Sequence, residues 1–279
     1  MHMNSDIKML KVEVNPDHLS IWLNNLVVTS FEMVGYGFLS TESFNPVRLA
    51  LPGQLFQIER KEGGKIDNPE KLKQDYRMWL IANGLRDCVE GLGFVLEEAR
   101  KACIFYSIPQ KKVFLADELL KHKPFERHTG FERRPLEDKF KYLKKNYNYE
   151  PPEKTRRFAL TINKARNCIV HRKGIVEQKD CNDGNKLLVE WYTPVLTIGD
   201  INKASREINK PGELIRGGEI LSLIQKDTNK KFKIGEAIVF DINEFSSLCW
   251  TFIRCGAEIS KSLKEFGESK GIKPSSDKA

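Results

Sequence analysis

Long apolar runs are missing from this chain of 279 residues. No stretch approaches the roughly 20 residues that a membrane helix needs. The opening Met1-His2-Met3-Asn4-Ser5-Asp6 also lacks the apolar core of a secretory signal. No membrane association and a cytoplasmic location are therefore expected. Six cysteines are present, at 88, 103, 168, 181, 249 and 255, yet none stands in a Cys-x-x-Cys pair and no Cys/His grouping has zinc-finger spacing. Cys103, Cys249 and Cys255 lie among apolar neighbours in segments of helical periodicity. Reduced, buried thiols are expected there, with no structural metal and no cofactor. The chain has no Gly-x-x-x-x-Gly-Lys-Ser/Thr phosphate loop, no Gly-x-Ser-x-Gly elbow and no His-Glu-x-x-His helix, so nucleotide hydrolysis, serine hydrolysis and zinc proteolysis find no support. No internal repeat is visible.

What is present is an ordinary globular composition, 40% hydrophobic and 30% charged, with a net charge of +8. Much of that excess sits between Lys121 and Arg157, where 12 Lys or Arg face 6 Asp or Glu. Phe125, Phe131, Phe140, Tyr142, Tyr147 and Tyr149 are interleaved with them. Cations for phosphates and rings for bases suit single-stranded RNA. The plainer reading is a solvated, lysine-rich helix with its aromatics packed inward. Leu136, Phe140, Leu143 and Tyr147 form an apolar stripe, which leaves Lys139, Lys141, Lys144 and Lys145 mostly outside it. Lys139, Lys144, Lys145, Arg156 and Arg157 are the candidate RNA contacts of this window.

Along the chain, residues 7–13 read as a short strand, and Pro16-Asp17 opens a helix through Leu19, Trp22, Leu23, Leu26 and Val27. Residues 36–67 read as irregular, and residues 1–67 as an N-terminal extension. From about Asn68 to Phe105 a long pattern predicts two helices or one kinked helix, with Trp79, Val89, Leu92, Leu96, Ala99 and Cys103 as its apolar side. Pro135, followed by Glu137 and Asp138, starts a helix to about Asn146, and another spans 153–173. Then the period changes. Ile175–Glu177 and Leu187–Tyr192 flank Asn182-Asp183-Gly184-Asn185, a hairpin signal, and a further strand is expected at Phe232–Phe240. Asp241 and Glu244 cap a last helix carrying Phe245, Leu248, Phe252, Cys255, Ile259, Leu263 and Phe266. The expected architecture is mainly α: one bundle over 68–266, interrupted by a β-rich insertion at about 175–240, with a disordered tail over 267–279.

The helix at 153–173 ends in Ala165-Arg166-Asn167-Cys168-Ile169-Val170-His171-Arg172. Phe158, Ile162, Ala165 and Ile169 form its apolar face. Arg166 falls on the flank of that stripe, and Asn167 and His171, four apart, lie together opposite it. A guanidinium can hold a phosphate, and an imidazole can move a proton near neutral pH. The bland alternative is a set of cations at a helix C-terminus, favoured by the dipole and stopped by Gly174. Asn83, Arg86, Asp87 and Glu90 form a second polar cluster, read either as lying near this motif or as a solvated face with an Arg86–Glu90 pair. His128 is a further loop imidazole.

The Arg-Asn-x-x-x-His arrangement at Arg166, Asn167 and His171 resembles the signature of the HEPN family of helical nucleotide-binding domains, many of which are metal-independent ribonucleases of toxin and antiviral defence systems. The resemblance covers about 68–173 plus the terminal helix, and leaves the first 60 residues and the β-rich insertion unexplained. It implies an endoribonuclease that attacks RNA through its 2′-hydroxyl, leaving a 2′,3′-cyclic phosphate and a 5′-hydroxyl. His171 would be the acid or base, Arg166 would hold the phosphate, and Asn167 would orient. Arg172 would bind flanking phosphate. The resemblance further implies RNA as partner, a homodimer with two motifs at one cleft, and a cognate antitoxin or sensor protein. The rival readings are a non-catalytic HEPN-like module that binds nucleic acid or a protein, and a structural helical protein whose motif is accidental.

Overall fold

A computed structural model describes residues 15–43, 68–107, 130–199, 206–208 and 220–272. The described residues are mostly helical, with a small three-stranded antiparallel sheet. Five α-helices are present among them: α1 Asp17–Ser43, α2 Pro69–Ser107, α3 Leu136–Tyr147, α4 Glu153–Arg172 and α5 Ile242–Ser269. The strands are β1 Lys186–Gly199, β2 Arg206–Glu207 and β3 Ile220–Lys233, in the spatial order β2-β1-β3. None of the described helices is long and apolar enough to cross a membrane.

The chain forms two compact units. One comprises Met1–Asn24, Gly91–Arg156 and Arg254–Ala279; the other comprises Asn25–Glu90 and Arg157–Ile253. The division falls inside α1, α2, α4 and α5, so each of those helices contributes to both cores. In the first unit Leu92, Leu96, Phe131, Leu143, Ile259 and Leu263 are fully buried. Tyr149 donates its hydroxyl to the Ile259 carbonyl at 3.2 Å. In the second unit the core is built on Ile81, Leu85, Phe158, Ile162, Phe245 and Phe252. Such side chains contribute about 1.5–3 kcal/mol each when buried. The stripes expected on α4 and α5, including Ile169, Leu248 and Ile259, are buried, except that Phe266 at the end of α5 is half-buried.

The long pattern from Asn68 is one helix of 39 residues, not two. Gly84 inside it has a packing reason. A Cβ there would come within 2.5 Å of the Phe245 ring and 2.9 Å of Val34, so α1 and α5 approach the α2 backbone as only glycine permits. α1 runs on to Ser43, so residues 36–43, read as irregular, are helical. The glycines at 35 and 37 did not break it because tertiary burial outweighs their roughly 1 kcal/mol propensity cost. Leu23, Val27 and Val34 of this helix are core residues. Residues 44–67, the strand expected at 7–13 and His128 lie outside the described residues.

After α4 the chain departs from the expected hairpin. Asn182–Lys186 does turn tightly, with the Asn182 and Asp183 amides donating to the Lys186 carbonyl at 3.1 Å. It does not join two strands. Ile175 instead bridges Ala237, while β1 pairs along its whole length with β3, from Lys186 opposite Lys233 to Gly199 opposite Ile220. The strand expected at Phe232–Phe240 therefore lies earlier, ending at Lys233 before Gly235, whose φ of 82° turns the chain. Alternation along β1 turns Leu187, Val189 and Trp191 inward, and only Phe232 of β3 is buried. α5 opens on a reciprocal cap. Glu244 N–H donates to Asp241 Oδ1 at 2.8 Å, and Asp241 N–H donates to Glu244 Oε2 at 3.0 Å. The helix persists to Ser269, past the start of the tail expected to be disordered, and residues 273–279 lie outside the described residues.

Candidate functional site

Two registers on α4 place its polar residues. The buried row Phe158, Ile162, Ala165, Ile169 anchors the helix in the second unit, and Arg166 then emerges at the edge of the core with its side chain only 16% exposed. Its Nη1 donates to Asn167 Oδ1 at 2.9 Å, and its Nη2 lies 3.3 Å from Glu90 Oε1 on α2. Nε is buried with no hydrogen-bond partner. Burial pulls the guanidinium pKa below its ordinary value and Arg86 adds to that, while Glu90 opposes both. Arginine stays charged near neutral pH all the same. The polar cluster on α2 therefore does reach the motif. Its ion pair is Glu90 with Arg166, and Arg86 turns to Asp87 at 3.7 Å.

Asn167 is half-buried, and His171, one turn further on, is exposed. No described residue hydrogen-bonds the His171 ring. The helix ends just beyond it. Lys173 takes a left-handed conformation at φ 53°, Gly174 follows at φ 78°, and the Gly174 amide reaches back to the Cys168 carbonyl at 3.2 Å.

Arg172 has a different role from the phosphate contact expected of it. Its Nε donates to Asp180 Oδ2 at 2.9 Å, and its Nη2 bonds Asp180 Oδ1. Asp180 is buried and also accepts the Glu177 amide at 2.9 Å. The fork-on-fork pair ties the end of α4 to the 3₁₀ turn Gln178–Asp180. An arginine so held is not offered to a ligand.

Most of the candidate cations of the basic window also have partners within the protein. Lys139, read as lying outside the α3 stripe, is buried. Its Nζ donates to the Gly93 carbonyl at 3.0 Å and sits 5.4 Å from the centre of the Phe131 ring. Burial lowers its pKa, with Glu97 and Glu132 opposing. The side chain reaches the core because its four-carbon stem crosses the stripe's edge and Gly93 leaves room at its tip. Lys144 and Arg156 both pair with Glu150, at 2.7 and 2.6 Å. Arg157 pairs with Glu190 at 3.2 Å. Lys145 is exposed.

What sequence reasoning missed is a groove in the second unit, a cavity of about 1300 Å³ between the first half of α2, the end of α4 and residues 237–239. Ile169, Val170 and Lys173 form one wall, and Trp79, Asn83 and Arg86 form the other. Trp79, expected on the apolar side of α2, is 59% exposed and stacks on Tyr76, with centroids 6.0 Å apart. The signal was legible. Ile81, Leu85, Cys88 and Leu92 set the buried row, and Trp79 lies about 200° from Ile81 around the helix. Among the described residues, no group of three or more His, Cys, Asp or Glu is placed to hold a metal ion. No family model matches this chain, and neither does any curated protein or solved structure with which it was compared.

Proposed function

We propose that the protein is a metal-independent endoribonuclease of the HEPN type, with Arg166, Asn167 and His171 as its catalytic residues. The observation that carries this reading is the Arg166 guanidinium, braced by Asn167 and facing Glu90, with an unengaged imidazole one turn along the same helix. Glu90 is 63% exposed and its contact with Arg166 is long. A phosphate oxygen can displace it and gain two charge-assisted hydrogen bonds in return.

In this mechanism the ribose 2′-oxygen attacks the adjacent phosphorus and the bond to the 5′-oxygen breaks. His171 takes the 2′-proton or supplies the proton to the leaving 5′-oxygen, since an imidazole can do either near neutral pH. Arg166 stabilises the charge that gathers on the non-bridging oxygens, and Asn167 fixes the plane of the guanidinium. One motif supplies one imidazole. The second proton transfer falls to water or to a second copy, and a homodimer with two motifs at one cleft is the assembly proposed. A role in toxin or antiviral defence, with a cognate antitoxin or sensor, belongs to the same proposal.

The test is RNA cleavage by purified protein in EDTA. His171→Ala should lower turnover by about 10²–10⁴-fold, and Arg166→Ala by about 10²–10³-fold, with unchanged circular dichroism and 2′,3′-cyclic phosphate ends on the wild-type product. Equal turnover by all three proteins, or activity only with added divalent metal, would refute the reading. The second reading, a non-catalytic HEPN-like module, is favoured by the existing Glu90 contact and by the solitary His171. It gains if all three proteins bind RNA without cutting it.

A further inference from the structure

The groove beside the motif helix has a combination of features that neither a packing role nor the catalytic residues explain. Five cations line it (Lys71, Lys73, Arg77, Arg86 and Lys173) against two carboxylates (Glu70 and Asp75), so its surface is net positive. Lys73 is paired with Glu70, and Arg77 is spent on Thr41 and the Phe38 ring. Lys71 and Lys173 are exposed, and neither has an ion pair among the described residues. Trp79 leaves a large indole in solvent on the rim, held flat by Tyr76 at an interplanar angle of 14°. Two adjacent exposed rings beside a groove have the character of an interaction surface.

The groove also has a direction. Asp75, Trp79, Asn83, Arg86 and Glu90 recur at threes and fours and so share one face of α2. That face leads from the indole to the Glu90–Arg166 contact. From Trp79 to Arg86 is about 10 Å along the helix axis. On the opposite wall Arg166 and Val170 lie four apart on α4, and Lys173 follows just past its end. Both walls thus run from open groove to the guanidinium assigned to the scissile phosphate.

We infer that this groove is the binding track for single-stranded RNA, with Trp79, backed by Tyr76, as a stacking platform for an unpaired base next to the cleavage point, and Lys71 and Lys173 as phosphate contacts. Trp79, Lys71 and Lys173 are binding residues in this assignment. It rests on the ribonuclease reading for the identity of the polymer as RNA and for the position of the cleavage point. Single-stranded substrate follows from the indole: a base must leave its own stack to cover Trp79, and an A-form duplex keeps its bases stacked inside. Stacking tolerates any base, so little sequence preference is expected at that position.

The experiment measures affinity for a fluorescent oligoribonucleotide, single-stranded or annealed to its complement, using the His171→Ala protein so that cleavage does not interfere. Trp79→Ala in that background should weaken single-strand binding about 10- to 100-fold. Trp79→Phe should restore most of it. Lys71→Gln should lower the slope of log affinity against log salt by about 0.7. The duplex should bind more weakly and be indifferent to Trp79. Unchanged single-strand affinity in Trp79→Ala, or equal Trp79 dependence for the duplex, overturns the assignment even if the wild-type protein cleaves RNA. Conversely, Trp79-dependent binding by a wild-type protein that never cleaves upholds the groove and removes the ribonuclease. Trp79 is exposed, so none of these changes touches the core, and far-ultraviolet circular dichroism checks that each variant is folded.

Discussion

The α3 region and the groove along α2 teach opposite lessons about charge. The α3 region is the most basic part of the sequence, yet among its described candidate contacts Lys139 is buried against Gly93 and Phe131 and Lys144 and Arg156 share Glu150, which leaves Lys145 exposed. The groove has fewer cations, but Lys71 and Lys173 lie exposed beside an uncovered indole. A count of lysines measures formal charge, whereas a ligand meets only the charge that the protein has not already used. Exposed ion pairs contribute little to stability, but they do decide which cations remain available to a phosphate.

The largest expected effect tests whether α3 is structural. Phe131 is fully buried, meets Tyr142 edge-on at 5.2 Å and lies beneath Lys139. Phe131→Ala should cost about 3–5 kcal/mol in urea unfolding while leaving the RNA affinity of the folded protein unchanged. A loss of affinity without loss of stability would reverse the comparison. Next comes the arginine beside the groove that is not part of it. Asp180→Ala strands the nearly buried Arg172 charge, which should lower stability by about 3 kcal/mol. If affinity for RNA rises instead and stability holds, Arg172 is a phosphate ligand after all.

Lys173→Gly separates the two quantities more finely. It removes a groove cation and relieves a left-handed backbone, for which a non-glycine residue pays about 1 kcal/mol. Thermal stability should therefore rise slightly while RNA binding weakens, and a drop in both would place Lys173 among the structural cations. The smallest effect is a pH dependence at α3. The hydrogen bond from Lys144, with Arg156 nearby, holds the Glu150 carboxyl below its ordinary pKa, against the effect of burial. The folded state then binds this proton less readily than the unfolded chain. The contribution is present above the ordinary glutamate pKa of about 4.3 and is lost as pH falls through the lower folded value. Its size should be under about 1 kcal/mol. Acid titration of wild type against Glu150→Gln reads it, and parallel curves would show that the pair adds nothing.

Helix positions were legible because burial repeats with the helical period. The rows on α4 and α5, and the capping residues Asp241 and Glu244, appear in the structure as the spacing requires. Strand pairing was not. The Asn182–Asn185 turn looked sufficient to fold a hairpin, but β1 pairs with a strand more than twenty residues further on. Local turn chemistry says where a chain reverses, and it carries no information about which distant edge satisfies a strand's hydrogen bonds.

The candidate site divides along the same line. The sequence by itself determined that Arg166, Asn167 and His171 stand off the apolar face of one helix, since 100° per residue fixes their angles once Phe158, Ile162 and Ile169 are buried. Only the tertiary structure decided that Glu90 reaches Arg166, that Asp180 claims Arg172 and that Gly93 receives Lys139. Each of those outcomes depends on a partner outside the helix that carries the residue. Helical periodicity orders neighbours within a few residues; which charges and rings remain free for a ligand is set by contacts that fold-scale packing alone brings together.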